Sequence, residues 1–180
     1  MTLVVEDGTV VAGAESYISV ADASTYHAGR GNIAWAAIAT DALREQALRR
    51  ATDFMIQRYR QVWKGSRMDQ SQVLDWPRGY VYLQPFIKGA LYPYGTFPYM
   101  VPNNIVPDLV KRACAELALR TAVSGDLLAD LSQGVVSESV GPIKTEYDRY
   151  SPQSKRYPAI DTMLAEFLTT RPGSARVVRA

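Results

Sequence analysis

One histidine, His27, and one cysteine, Cys114, bound the chemistry this chain could do. A general-base histidine works only beside a nucleophile and a third group that orients it. No spacing along the chain places such partners near His27, so it reads as a histidine on a helix surface or partly buried. Cys114 falls on the apolar face of a helical pattern. A reactive thiol needs exposure and positive surroundings, so Cys114 reads as a small core residue. One histidine and one cysteine cannot make a zinc site of the usual kind. Gly29-Arg30-Gly31 is too short for a phosphate loop, follows a helix rather than a strand, and lacks the Gly-Lys-Ser/Thr ending. The carboxylates are scattered, with no metal-ligand spacing among them. The expectation is a chain without catalytic residues, cofactor or metal, and so not an enzyme.

Two stretches suggest contact rather than catalysis. Seven aromatics crowd one segment: Tyr80, Tyr82, Phe86, Tyr92, Tyr94, Phe97 and Tyr99. Only Arg78 and Lys88 lie near them. Three readings stay open. The aromatics could stack single-stranded bases, although backbone binding calls for a basic groove. They could form a protein interface, where aromatics are enriched and charges depleted. They could also fold onto the chain's own core. The second stretch is the C-terminal tail, with Arg171, Arg176 and Arg179. It could be a solvated end, or an arm that orders on docking to a neighbour.

The elements that must carry these stretches follow from periodicity and punctuation. Thr2–Val5 alternates weakly and predicts a short strand, with Glu6-Asp7-Gly8 as a turn. Ser19 caps a helix starting near Val20, with Asp22 in its first turn, and Gly29 and Gly31 end it. Thr40 caps a long helix on which Leu43, Ala47, Leu48, Ala51, Phe54, Met55 and Tyr59 recur at helical spacing. Glu45 and Arg49 form an i,i+4 pair on its polar face.

Residues 65–104 carry too many prolines and glycines for a long helix. They are too aromatic for disorder, and are read as an ordered arm, a hairpin or an extended excursion, over 79–103. Pro107 opens a helix with Val110, Ala113, Cys114, Leu117 and Thr121 on one face, ending at Ser124-Gly125. Asp108–Arg112 and Glu116–Arg120 are i,i+4 pairs on its solvent side. A short helix or turn is expected over Asp126–Leu131. Two alternating strands flank Gly141-Pro142, with Val136, Val140, Ile143 and Tyr147 supplying apolar surface. A last helix starts at Pro158, with Ile160, Met163, Leu164, Phe167 and Leu168 on one face. The tail is 171–180. The fold class is therefore mainly α: a small helical bundle with a β-hairpin and a long aromatic, Pro/Gly-rich arm, in a single domain over 1–180.

Composition agrees with that class. The chain has 180 residues, 47% hydrophobic and 21% charged, with a formal net charge of +2. That charge is too small to indicate a nucleic-acid binder by itself. A lone cysteine excludes an internal disulfide and suits a reducing cytosol. The N-terminus lacks the basic and apolar regions of a signal peptide. No stretch approaches the roughly 18 apolar residues of a membrane span.

The opening MTLVVEDGTVVAGAESYISVADASTYHAGRGNIAWA resembles a phage protein family often labelled "DnaT-like single-stranded DNA-binding". The resemblance continues through LRRATDFMIQRYRQVWKGSRMDQSQVLDWPR. It resumes at VPDLVKRACAELALRTAVSGDLL, at KTEY and at RYPAIDTMLAEFL, and so covers most of the chain. It implies a head-completion or head–tail connector protein, an adaptor whose copies form a ring, commonly twelve-fold, between the portal and the next neck or tail protein. DNA would pass through the lumen of such a ring without sequence-specific binding. The implied location is the neck of the virion, reached from the host cytoplasm during assembly, with no membrane involved. In related adaptors a C-terminal segment docks on the portal, which makes Arg171–Ala180 the candidate portal contact. The label itself implies the alternative, a single-stranded DNA-binding replication protein. The arm 79–103 is longer and more aromatic than the family pattern.

Overall fold

A computed structural model describes residues 2–83, 100–128, 137–140, 143–146 and 155–169, with the side chains of 137–140 and 143–146 excepted. Helix α1, Val20–Ala28, starts where Ser19 accepts a hydrogen bond from the Asp22 amide, and stops at Gly29. Helix α3, Asp41–Tyr59, starts where Thr40 accepts from the Leu43 amide. Both caps stand where the sequence places them, because a short hydroxyl side chain satisfies an amide that the first turn leaves unpaired. Between the two lies a helix the periodicity does not predict: α2, Ile33–Ala36, of four residues, too short to show a period. Its Trp35 is buried.

Helix α4, Asp108–Ser124, packs against α3. Ala47, Leu48, Ala51 and Met55 of α3 are buried, as are Val110, Ala113, Cys114 and Leu117 of α4. The alanines let the two helices close on each other, and the Thr52 hydroxyl comes to 3.4 Å from the Cys114 thiol. Thr52 meets Cys114 near mid-helix, while Ala47 and Thr121 line one groove further along. The pair is therefore antiparallel.

That register explains one departure. Leu43, expected in the core, is 48% exposed. Helix α4 ends at Ser124, with Gly125 at its C-cap, so it does not run on past the first turn of α3. Pro107 also differs slightly from expectation: it is the N-cap of α4 rather than its first helical residue.

Helix α5, Pro158–Leu164, continues as a 3-10 turn over Ala165–Phe167. It lays Ile160, Leu164, Phe167 and Leu168 into the same core. Tyr59 ties α3 to α5 by donating to Asp161 Oδ1 at 2.7 Å.

The rest is short β structure. The strand expected at Thr2–Val5 is a single bridge, Val5 to Ser16. Strands β1, Ser66–Arg67, and β2, Arg78–Gly79, pair antiparallel and were not legible, since two-residue strands have no alternation to read. Strands β3, Ser137–Val140, and β4, Ile143–Glu146, form the expected antiparallel hairpin, with Val140 opposite Ile143. Val136 and Tyr147 lie outside the described residues. Over Asp126–Leu131 the part that is described, to residue 128, is a bend held by the Leu128 amide on Asp126 Oδ1 at 2.9 Å. The architecture is mainly helical with a small two-stranded hairpin.

Candidate functional site

The feature that most resembles a site is the base of the aromatic arm. It is built from the segment that leaves α3. Trp63 bridges Leu168, and the Lys64 amide donates to the Phe167 carbonyl at 2.8 Å, which pins the end of α3 to the end of α5. Gly65 follows with φ +68, and a Cβ there would lie 2.1 Å from the Gly79 carbonyl oxygen. Only glycine fits both the backbone angle and the close approach. Arg78 locks the arrangement from inside. It is buried, and its guanidinium donates to the carbonyls of Lys64 at 2.8 Å, Gly65 at 2.7 Å and Asp75 at 3.2 Å. Burial lowers its pKa. Three carbonyl acceptors replace the water it has lost.

From this clamp the chain emerges as a short alternating ribbon. Tyr80 is 74% exposed, Val81 is buried, and Tyr82 is 40% exposed. On the returning side Met100 is 53% exposed and Val101 is buried. Tyr82 bridges Met100 antiparallel, and the Val101 amide donates to the Val81 carbonyl at 2.9 Å. The arm expected over 79–103 is thus closed at its root. Val81 and Val101 anchor it, while Tyr80, Tyr82 and Met100 point outward. Tyr80 has φ +59, a left-handed conformation that costs a bulky residue about 1–2 kcal/mol. Of the candidate contact residues, Tyr80 and Tyr82 are therefore exposed together at the root. Phe86, Tyr92, Tyr94, Phe97 and Tyr99 lie outside the described residues, as do Lys88 and the tail with Arg171, Arg176 and Arg179.

The two candidates for chemistry are inside the protein. His27 is fully buried rather than at the surface. Its ring lies 4.7 Å from the Trp35 ring, Nε2 is 3.1 Å from the Ala115 carbonyl, and Nδ1 is 3.0 Å from Asn32 Nδ2. A carbonyl only accepts, so Nε2 carries the proton. Nδ1 then accepts from the Asn32 amide. Both lone-pair and proton positions are spent on structure, and burial lowers the pKa. Cys114 is also fully buried, and burial raises its thiol pKa. Among the described residues no group of three or more His, Cys, Asp or Glu side chains is placed to hold a metal. No described helix is long and apolar enough to cross a membrane.

The described cations are largely engaged within the protein. Arg44 pairs with Asp41 at 2.6 Å, Arg49 with Glu15 at 3.0 Å, Arg60 with Asp75 at 2.9 Å and Arg120 with Glu116 at 2.8 Å. Arg67, Lys64 and Lys155 donate to backbone carbonyls, and Arg30 lies over the Tyr26 ring at 3.7 Å. Arg50, Lys111 and Arg156 have no ion-pair partner among the described residues. These three come from α3, α4 and the approach to α5, and do not flank the arm root in sequence.

The sequence pieces that carry the family resemblance turn out to hold the body together. Glu6, from Glu6-Asp7-Gly8, is buried and accepts from the amides of Gly8, Val10 and Val11 at 2.9, 3.0 and 2.9 Å. Asn32 and Trp35 hold His27. Trp63 and Trp76 meet edge to face at 5.6 Å, and Trp76 meets Phe167 at 5.5 Å. Asp75 is buried beneath Arg60, and its amide donates to the Tyr17 hydroxyl at 3.0 Å. The roles of Asp75 and Trp76 were not visible in sequence, because Tyr17 and Phe167 lie across the fold. A family model described as "Putative DnaT-like ssDNA binding protein" matches residues 1–180. No curated protein and no solved structure matches the chain.

Proposed function

The chain belongs to this DnaT-like family, and from that premise we propose that it is a non-catalytic assembly protein, a head–tail connector subunit that forms a ring between a phage portal and the tail or neck. The observation that carries the reading is the character of the described surface. It offers exposed aromatic and apolar side chains at the arm root, while most of its cations are engaged by the protein's own carboxylates, carbonyls and rings. The hairpin β3–β4 adds to this. Neither strand pairs with a third among the described residues, and a two-stranded hairpin gains stability by packing or pairing further. By resemblance the ring is twelve-fold and the tail Arg171–Ala180 meets the portal. The test is quantitative mass spectrometry of purified virions. We expect about one copy per portal subunit, and absence from virions removes the reading.

A second reading, single-stranded DNA binding, is the one the family description favours, and the comparison speaks for it rather than for the connector. Its structural support is Tyr80 and Tyr82, two exposed rings on one face of the arm root, as a base-stacking platform requires. It calls for steep salt dependence of oligonucleotide binding and for loss of that binding in Tyr80→Ala with Tyr82→Ala. No binding to an unstructured oligonucleotide at low salt excludes it.

A further inference from the structure

The second apolar feature of the described surface lies away from the arm root. A groove of about 580 Å³ runs between α2, the N-terminal half of α3 and the C-terminal end of α4. Its walls include Ala34, Ala37, Ile38, Leu43 and Val123, with Arg50 and Gln46 on the α3 side. Of its walls, Val123 is 65% and Leu43 48% exposed, and Ile33, 81% exposed, precedes Ala34 in the chain. Isolated exposed apolar residues need no explanation, but a contiguous apolar groove with a polar edge marks a contact surface. Arg50, exposed and without an ion-pair partner among the described residues, supplies a positive charge at that edge.

The arm root is the complement of this groove. Tyr80, Tyr82 and Met100 are joined there by Met68, 42% exposed. Met68 Sδ lies 3.3 Å from the position a Cβ on Gly79 would take, so the β1 side and the arm side form one patch. Asp69 follows Met68 in the chain, at the edge of that patch. It is exposed, and its carboxylate is held ionised by the hydroxyl and amide of Ser71, which lower its pKa. It forms no ion pair among the described residues.

The two patches lie toward opposite ends of α3. The groove begins at Leu43. The arm root is tied to the turn after Tyr59, by Arg78 on Lys64 and Gly65 and by Arg60 donating to the Val73 carbonyl at 3.2 Å. Along α3, sixteen residues separate Leu43 from Tyr59 and nine separate Arg50 from it, about 24 and about 14 Å at 1.5 Å per residue. Two different apolar patches, one edged by a cation and the other by an anion, cannot satisfy each other within one copy at those distances. They can between copies. Such contact is heterologous, head to tail, the kind that closes into a ring when the rotation fits.

We propose that the α2–α3–α4 groove receives the arm root of a second copy of this chain, with Tyr80, Tyr82 and Met100 entering the groove and Asp69 meeting Arg50. This rests on the ring reading and names the surfaces that would build it. The test uses the full chain and four variants, Arg50→Glu, Asp69→Lys, Val123→Asp and the double swap Arg50→Glu with Asp69→Lys. All sites are exposed, and circular dichroism checks that each variant folds. Self-association is measured by sedimentation up to about 1 mM, a range in which even weak specific contacts register. Each single variant should weaken association about tenfold or more, since juxtaposed like charges or a buried carboxylate oppose docking. The double swap should recover to within about threefold of the unaltered chain. A chain that stays monomeric throughout, single variants that associate normally, or a double swap no better than its parents each overturns the proposal. The connector reading fails separately. If the chain associates through these patches but is absent from virions, the interface stands and the connector falls. If Arg50→Glu and Val123→Asp chains enter virions at full copy number, the reverse holds.

Discussion

Gly65 and Arg78 show how much of this surface depends on single positions. Gly65 has φ +68 and faces the Gly79 carbonyl at a distance no Cβ tolerates. Gly65→Ala should therefore destabilise the protein by at least about 2 kcal/mol, combining the left-handed penalty with the opening of β1–β2. For a chain of this size that is a fall in melting temperature of about 4–8 °C. Little of this was legible. The sequence shows a glycine after a helix, but the atom that excludes a side chain comes from fourteen residues further on. The same is true of His27, whose partner Ala115 is 88 residues away. Its burial could not be read from sequence.

His27 also gives the protein a pH dependence. Its folded pKa is lowered by burial, while in the unfolded chain it titrates near 6.5. Between those two values the unfolded state binds more protons, so stability falls as pH drops below about 6.5. The loss stops growing once pH passes below the folded value. Urea unfolding between pH 7.5 and 5.5 should show this slope, and His27→Gln should flatten it even though losing the ring lowers stability at every pH. A slope unchanged in the variant would assign the effect to other groups.

At the scale of elements, the arm root behaves as a closed joint. Val81 and Val101 are buried, and the bond between them joins the two ends of the arm. Replacing residues 84–99 by a short glycine-containing turn should leave the body folded, with a melting temperature within about 4 °C of the full chain. A larger loss would mean that the excised aromatics belong to the core, which is the third reading of the arm. Helices α1, α3 and α4 were legible, because capping residues and apolar spacing act locally: Ser19, Thr40 and the α4 face from Val110 to Thr121 stand as read, while the four-residue α2 was not. What spacing could not give was where one helix outruns another. Leu43 fits the apolar stripe and is nonetheless exposed, since α4 ends beside it. That mismatch is what opens the groove.

At the scale of the whole molecule, the family stretches hold the body together and reach into the contact surfaces: Arg50 and Asp69 lie within them, Tyr80, Tyr82 and Met100 outside. Glu6, Asn32, Trp35, Trp63, Asp75, Trp76 and Arg78 hold the body. The proposed contacts are Tyr80, Tyr82, Met100, Asp69 and Arg50. The family model spans residues 1–180, so it covers the residues that hold the body and the proposed contacts alike. The tail bears on this. Leu168 closes the described core, so truncation after residue 170 should leave folding intact and weaken assembly. If truncation unfolds the chain, the tail is part of the body and its proposed docking on the portal fails.

The role proposed for this protein is to join protein subunits. Electron cryomicroscopy of the neck of purified virions, where the proposed connector would sit, tests that role most directly. The account expects a ring of this fold beneath the portal, with the arm root of each copy seated in the α2–α3–α4 groove of the next. A neck fully accounted for by other chains, together with tight, salt-sensitive binding of this one to single-stranded oligonucleotides, would contradict it.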